Sequence, residues 1–300
     1  YKGVSINTRT LKKNDLFFAI KGKNNDGHKF IEDAIKKGAI KSIVSKKIRK
    51  ISKNKIIKVK NTFSSLNSLA KVTRDSSSAA IIGITGSVGK TTLKNLISFS
   101  LKNYGTVYHS PHSYNNKFGV PLSLSNLKNN IDYGVFEIGM DKKGEIESLS
   151  KIVNPEIGII TNISGAHFKN FNTLKDIARA KSEIINNIST GGDIILNRDD
   201  NFFNFLSNEA KKNKINITSF SIKKKSDIYL MGVKKIKKYY KLKIFLTKNN
   251  PAAVEINKAV NVTAIDSINV AIILSKCLGV LTIVKYDETP LSPLAPTIAN

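Results

Sequence analysis

A single cysteine, Cys277, stands among 300 residues. One cysteine excludes a disulfide framework and fits a reducing compartment, so a cytoplasmic chain is expected. Its place in an apolar run marks a small buried residue rather than a nucleophile. No run of about 18 apolar residues occurs, so no membrane span is expected. The chain opens on Tyr1 rather than Met and shows no charged-then-apolar leader, so nothing points to secretion and the sequence reads as a fragment. Acidic residues are few: 22 Asp and Glu face 49 Lys and Arg, a net charge of +27. Arginine is rarer still, at five residues. Proteins that read bases or fork phosphates lean on its planar guanidinium. Lysine is instead spread along the whole chain beside Ile and Asn, which describes a solvated surface and not a nucleic-acid face. The positive field still favours an anionic substrate.

What is present is enough for a real core: 41% of residues are apolar, and the length suits one large or two ordinary domains. No internal repeat is visible. Residues 1–76 read as a small α/β unit. LFFAI follows the turn signal KKND as a strand, FIEDAIKKGA (30–39) as a helix stopped by Gly38, and IKSIVSK as a strand. The polar RDSSS (74–78) is the expected link. From 77 to 284 strand, loop and helix alternate. The strands are AAIIGIT, YGVFEIG, EIGIITNI and DIILN; the helices are KTTLKNLISFSLKN, GEIESLSKIV and TLKDIARAKSEIINNI. This pattern predicts an α/β fold, a mostly parallel sheet with helices on both faces. Two or three antiparallel strands are expected over 226–248 and a helix over 262–278. Residues 285–300, with three of the seven prolines, read as an irregular tail.

Chemistry concentrates in GITGSVGKTT (83–92). The strict P-loop pattern wants Gly five places before Gly89, where Ile84 stands. The context is nonetheless a P-loop's: an apolar strand, a glycine turn, then a helix. Gly86, Ser87, Val88 and Gly89 would turn backbone N–H groups toward anionic oxygens, helped by the helix N-terminus. Lys90 would reach the β and γ phosphates, and Thr91, or else Thr92, would offer a hydroxyl to Mg²⁺. Glu137 ends the second strand in VFEIGM, where a metal-holding acid belongs. Asp141 reads as a turn residue. His167, past the third strand in TNISGAHF, suits a metal ligand or an acid–base group. Lys181, among Ala and Ile in IARAKSEII, reads first as a snorkelling surface lysine. SYNNKFGVP (113–121) is a loop whose Asn115 and Asn116 serve either a polar substrate or a turn. LNRDD (196–200) ends the fourth strand with polar groups, Asn197 among them, for nucleotide or substrate contacts.

Together, ITGSVGKTT, NNKFGVPLSL, FEIGMDKKGEI, PEIGIITNISGAHFKNF and IARAKSEI resemble the Mur ligase family. The NN-x-x-GVPL and E-x-G-x-x-x-x-GEI runs are most similar to the branch that adds D-alanyl-D-alanine to UDP-N-acetylmuramoyl-tripeptide. They fit it better than the sister ligases or folylpolyglutamate synthase. The likeness covers roughly residues 3–280. It implies an ATP-dependent, ADP-forming amide ligase of peptidoglycan synthesis, acting through an acyl phosphate as a monomer. It further implies that Lys90 and Mg²⁺ neutralise the transferring phosphoryl group. Glu137 and a P-loop Thr would hold one Mg²⁺, with His167 at a second. Lys181 matches a lysine that CO₂ converts to a carbamate, an anion able to help hold Mg²⁺. Asn115 and Asn116 match substrate-loop positions. Ser5, Arg9 and the Asp26-Gly27-His28 turn would contact the uridine end within the N-terminal domain, and Asn269 would lie near the adenine.

The sequence departs from the family's pattern in four places. Val88 stands where Asn is usual, and Asn7-Thr8-Arg9 replaces Asp-Ser-Arg. His112 and Ser113 replace a Gly and an Asn. A third, C-terminal domain is expected to be missing. The rival expectations are a nucleotide-gated interaction module, a ligase relic without its last domain, and nucleic-acid binding through the +27 charge.

Overall fold

The computed structural model describes residues 1–22, 24–49, 51–165, 170–236, 239–246 and 259–260. Cys277, His167, Asn269, the helix expected over 262–278 and the tail lie outside the described residues. The chain divides into two compact units, Tyr1–Ser219 and Phe220–Asn300.

The first unit begins with a four-stranded sheet. Its strands are β1 (Val4–Ser5), β2 (Leu16–Phe18), β3 (Lys41–Val44) and β4 (Ile56–Lys58), in that order and all parallel. Side chains alternate across the pleat, so neighbours face opposite ways. Phe17 joins Ile31 and Ala34 of helix α1 (Ile31–Lys36), while Phe18 joins Val4, Ile43 and Leu66. Leu66 comes from α2 (Thr62–Asp75), a helix not read in the sequence. Asn61 starts it, its side chain accepting from Ser64 N–H at 2.9 Å. The link expected at 74–78 therefore begins only after Asp75, because Arg74 is buried in the last turn of α2.

The remaining elements of this unit build a larger parallel sheet. Strands β5 (Ala80–Thr85), β6 (Val107–His109), β7 (Tyr133–Glu137), β8 (Ile157–Ile160) and β9 (Asp193–Asn197) lie in the order β9-β8-β5-β7-β6, with β10 (Asn216–Ser221) beside β9. The helices are α3 (Lys90–Leu101), α4 (Gly119–Leu124), α5 (Glu145–Val153), α6 (Leu174–Ser182) and α7 (Phe203–Lys212). Helix α3 packs on β5, β6 and β7, and α5 contacts β5. β5 is central and apolar up to its last residue, Thr85, because both its faces are covered: Ile81, Ile82 and Ile84 are all buried. The four expected strands are present, together with the unexpected β6 and β10. The loop read over 113–121 gives way to α4 at Gly119. The chain moves to one side of β5 for β6 and β7 and to the other for β8 and β9. That reversal makes the carboxyl end of β5 a switch point, where open α/β sheets bind ligands.

In the second unit, Phe220 and Ser221 pair in parallel with the start of β11 (Ile228–Ile236). β11 runs antiparallel to β12 (Tyr239–Leu246), which pairs antiparallel with β13 (Ala259–Val260). The antiparallel strands expected over 226–248 are β11 and β12.

Candidate active site

β5 delivers the glycine loop to the switch point. Gly86 has φ 141°, and a Cβ there would stand 1.9 Å from Thr161 Oγ1, so only glycine fits. The loop is clamped to the segment that follows β8. Ser87 N–H donates to Asn162 O at 2.9 Å, and Ser87 Oγ donates to Ser164 O at 3.0 Å. Val88 N–H donates to Asn162 Oδ1 at 3.2 Å, and Val88 O accepts from Thr161 Oγ1 at 2.7 Å. The Val88 side chain is 54% exposed, so only its main chain shapes the loop. Ser87 and Val88 thus direct their N–H groups to Asn162. The open donors are those of the first turn of α3, whose N-cap, Gly89 (φ 83°), brings no capping side chain. A Cβ on Gly89 would meet nothing within 4 Å. The turn therefore leaves N–H groups and a helix N-terminus facing open space, a cradle suited to phosphate oxygens.

Lys90 Nζ donates to Gly86 O at 2.8 Å. Burial lowers its pKa, and the Glu137 charge partly restores it. Thr91, rather than the exposed Thr92, faces the acid: its Oγ1 donates to Glu137 Oε2 at 2.7 Å. Glu137 is 1% exposed, and its other oxygen accepts from Asn115 Nδ2 at 2.7 Å. The two adjacent amides divide their work. Asn115 reaches Glu137, while Asn116 Oδ1 accepts from the N–H groups of Phe118 and Gly119, each at 3.0 Å, and forms the turn into α4. Among the described residues, no group of three or more His, Cys, Asp or Glu gathers to hold a metal ion. One buried carboxylate and one hydroxyl form a hard oxygen donor set. That suits Mg²⁺, which takes one or two protein oxygens and completes its shell with phosphate and water.

Lys181 overturns the snorkelling expectation. It is 1% exposed on α6, beside buried Ile177, Ala178 and Ala180. Burial first, and the Lys90 charge second, pull its pKa down to about 7. The reason is geometric: Lys181 lies on the face that α6 turns to the core, so the stem cannot lift its amine to solvent.

Sequence reasoning missed a second buried cation. Lys94, one helical turn beyond Lys90, is 1% exposed. Its Nζ donates to Ser110 O at 2.8 Å and to His112 O. The only sequence signal is its spacing, since Lys94, Ile97, Ser98 and Leu101 all fall on the buried face of α3.

The residues expected at the uridine end form a separate set. His28 Nε2 accepts from Ser45 N–H at 3.0 Å, so Nδ1 carries the proton it gives to Asp26 Oδ1 at 2.6 Å. The Lys46 ammonium, 2.7 Å from Asp26 Oδ2, holds that carboxyl well below the usual carboxylate range. Arg9 is exposed. Buried Ser5 lines a cavity of about 450 Å³ with Lys2, Lys12, Lys13, His112 and Tyr114. Asn197 Oδ1 accepts from Asp199 N–H at 3.0 Å in the turn after β9, and Asp141 N–H donates to Glu145 Oε2 at 2.6 Å.

A glycine loop opening a helix at a sheet's switch point, faced by a buried carboxylate, defines a P-loop-type α/β protein. Residues 84–263 match the model of the Mur ligase middle domain, and residues 1–74 that of the Mur ligase family catalytic domain. The chain belongs to the Mur ligase family. It is 39% identical over 244 residues to the UDP-N-acetylmuramoyl-tripeptide–D-alanyl-D-alanine ligase of Rickettsia prowazekii, covering 81% of this chain and 54% of that protein. The Bacillus subtilis ligase of the same name is 36% identical over 194 residues, covering 64% and 42%. A crystal structure of MurF from Acinetobacter baumannii superposes with TM-score 0.81 at 27% identity, covering 93% of this chain and 60% of that one. MurF of Thermotoga maritima in complex with ADP superposes with TM-score 0.76 at 26% identity, covering 94% and 64%. The chain spans about half the length of the first curated relatives it matches, 54% and 50%.

Proposed function

We propose that this chain carries the nucleotide and nucleotide-sugar sites of an ATP-dependent ligase joining D-alanyl-D-alanine to UDP-N-acetylmuramoyl-tripeptide in peptidoglycan synthesis. The names of its relatives support the substrates. The observation that carries the reading is the 2.7 Å bond between Thr91 and Glu137 at the mouth of the glycine loop. Residues 1–76 hold the UDP end and residues 77–284 hold ATP. The cavity between Ser5 and the 110–114 loop, with three lysines in its wall, offers room and positive charge for the anionic substrate.

In this reading Gly89 to Thr92, at the start of α3, cradle the phosphates while the Ser87 and Val88 N–H groups stay on Asn162, and Lys90 swings from the Gly86 carbonyl to the γ-phosphoryl oxygens. Mg²⁺ would neutralise phosphate charge when bound, held by Glu137 and Thr91. The substrate carboxylate takes the γ-phosphoryl group and ADP leaves. The dipeptide amine then attacks the acyl phosphate, releasing phosphate and a proton as the amide forms. Lys181 fits conversion to a carbamate. A buried amine whose pKa is about 7 is largely neutral at cellular pH. Its nitrogen can then add CO₂ and lose one proton, leaving an anion near Lys90.

Titration of the 300-residue chain with ATP in Mg²⁺, followed by ADP release with UDP-N-acetylmuramoyl-tripeptide, tests this. ATP binding that falls at least about a hundredfold in Lys90→Ala and Glu137→Ala is expected. A wild-type chain that does not bind ATP overturns the reading; ADP release that depends on the tripeptide supports it.

A further inference from the structure

The buried ammonium of Lys94 has no part in the scheme above, yet it sits one turn below the phosphate cradle. A buried cation is costly unless its protons are claimed. Here two of the three are claimed by main-chain carbonyls of Ser110 and His112, both in the loop that follows β6. One residue of that loop is strained. His112 has φ 46°, a left-handed conformation unfavourable for a residue with a Cβ. Its carbonyl nonetheless points at Lys94.

The same loop supports the acid. Ser110 Oγ accepts from Glu137 N–H at 3.3 Å, Ser113 Oγ lies 3.4 Å from Thr91 Oγ1, and Asn115 Nδ2 donates to Glu137 Oε1 at 2.7 Å. Asn115 O in turn accepts from Gly139 N–H at 2.7 Å, just past Glu137. The contacts form a closed circuit from α3 through the loop to the end of β7 and back to α3 through Thr91. We propose that Lys94 is a positioning residue: it pins the 110–115 loop so that Asn115 and Ser113 aim the Glu137–Thr91 pair at the metal. The proposal rests on the ligase reading for the metal but not for the loop.

The sign of the Mg²⁺ effect separates positioning from charge. Lys94 and Glu137 feel each other's charge. If Lys94 acted only as a nearby cation, removing it would strengthen Mg²⁺ binding. If it positions the loop, removing it weakens Mg²⁺ binding, as loss of supporting partners does, by about tenfold or more. If it only stabilises the fold, the Mg²⁺ requirement does not move.

The experiment uses the 300-residue chain as wild type, Lys94→Met, Lys94→Arg and Arg74→Met. The last also removes a buried cation that grips carbonyls, but away from this loop. For each, the Mg²⁺ concentration giving half-maximal ATP binding is measured, with hydrogen exchange over 110–116. Lys94→Met is expected to need about tenfold more Mg²⁺ and to exchange faster in the loop. Lys94→Arg should recover part of both, and Arg74→Met should change neither. A folded Lys94→Met with an unchanged or lower Mg²⁺ requirement, or with wild-type loop exchange, overturns the proposal. Should Lys94→Met not fold, the wild type decides through its ¹⁵N-labelled lysine ammonium signals. The one lost in Lys94→Arg must exchange slowly and shift on adding Mg²⁺ and ATP; a signal like those of surface lysines overturns the proposal. If the wild type binds no ATP, the ligase reading fails while loop exchange still decides what Lys94 holds.

Discussion

Arg74, in the last turn of α2, and Glu156, just ahead of β8, meet at 2.5 Å. The same guanidinium donates to Val153 O at 2.9 Å and Asn154 O at 2.8 Å, closing the C-terminal end of α5. The second Glu156 oxygen accepts from Ile81 N–H at 2.7 Å, next to the start of β5. One cation thus ties α2 to the sheet that carries the site. Glu156 is 42% exposed and rehydrates if left alone, so the ion pair itself counts for little. The stranded carbonyls count for more. Arg74→Met is expected to cost about 2 kcal/mol in urea unfolding. A loss below about 0.5 kcal/mol would show that the clamp is ornamental.

Two glycines of the loop should respond differently to the same change. At Gly86 a Cβ would collide with Thr161 Oγ1, whose bond to Val88 O shapes the loop. Gly86→Ala is expected to cost roughly 3 kcal/mol and to abolish ATP binding. At Gly89 only the left-handed backbone objects, so Gly89→Ala should cost about 1 kcal/mol. Thermal melts and ATP titration of both variants check the order. Equal losses would mean that the Thr161 clamp does not shape the loop.

The pH dependence of stability should carry the mark of Lys181. Its folded pKa of about 7 lies below the ordinary lysine value of 10.5. Between these values the unfolded chain binds more protons than the folded one, so the contribution of Lys181 to stability rises with pH. At and below about pH 7 the full penalty of burying the charge is present, and it disappears toward the unfolded value. Lys181→Met removes the penalty. In CO₂-free buffer, the melting temperature of the variant relative to wild type should be highest near about pH 6 and fall by about pH 9. A difference that does not change with pH would show that the amine titrates normally.

Much of the site was legible because it is local. The loop between an apolar strand and a helix, and an acid at the end of the next strand, are patterns of adjacent residues. Glu137 and Thr91 meet because parallel register sets Ile84 opposite Glu137. Asn115 and Asn116 could not be told apart in sequence, since both are turn formers and both are amide donors. Helix α2 is hidden in the sequence because its serines and threonines mask the spacing of Leu66 and Ala70.

The sequence by itself determined the alternation of strands and helices, the glycine turn and the family, because backbone propensity, hydrophobic period and motif spacing are properties of neighbouring residues. Only the tertiary structure decided which charges are buried. Lys94, Lys181 and Arg74 look in sequence like any of the other basic residues that coat this chain. Burying a cation is tolerable only where distant main-chain carbonyls accept its protons, as for Lys94 and Arg74, or where its pKa falls, as for Lys181. Those carbonyls lie in other elements, 16 and 18 residues on for Lys94 and 79 and 80 for Arg74, so the fold and not the adjacent sequence brings them to the cation.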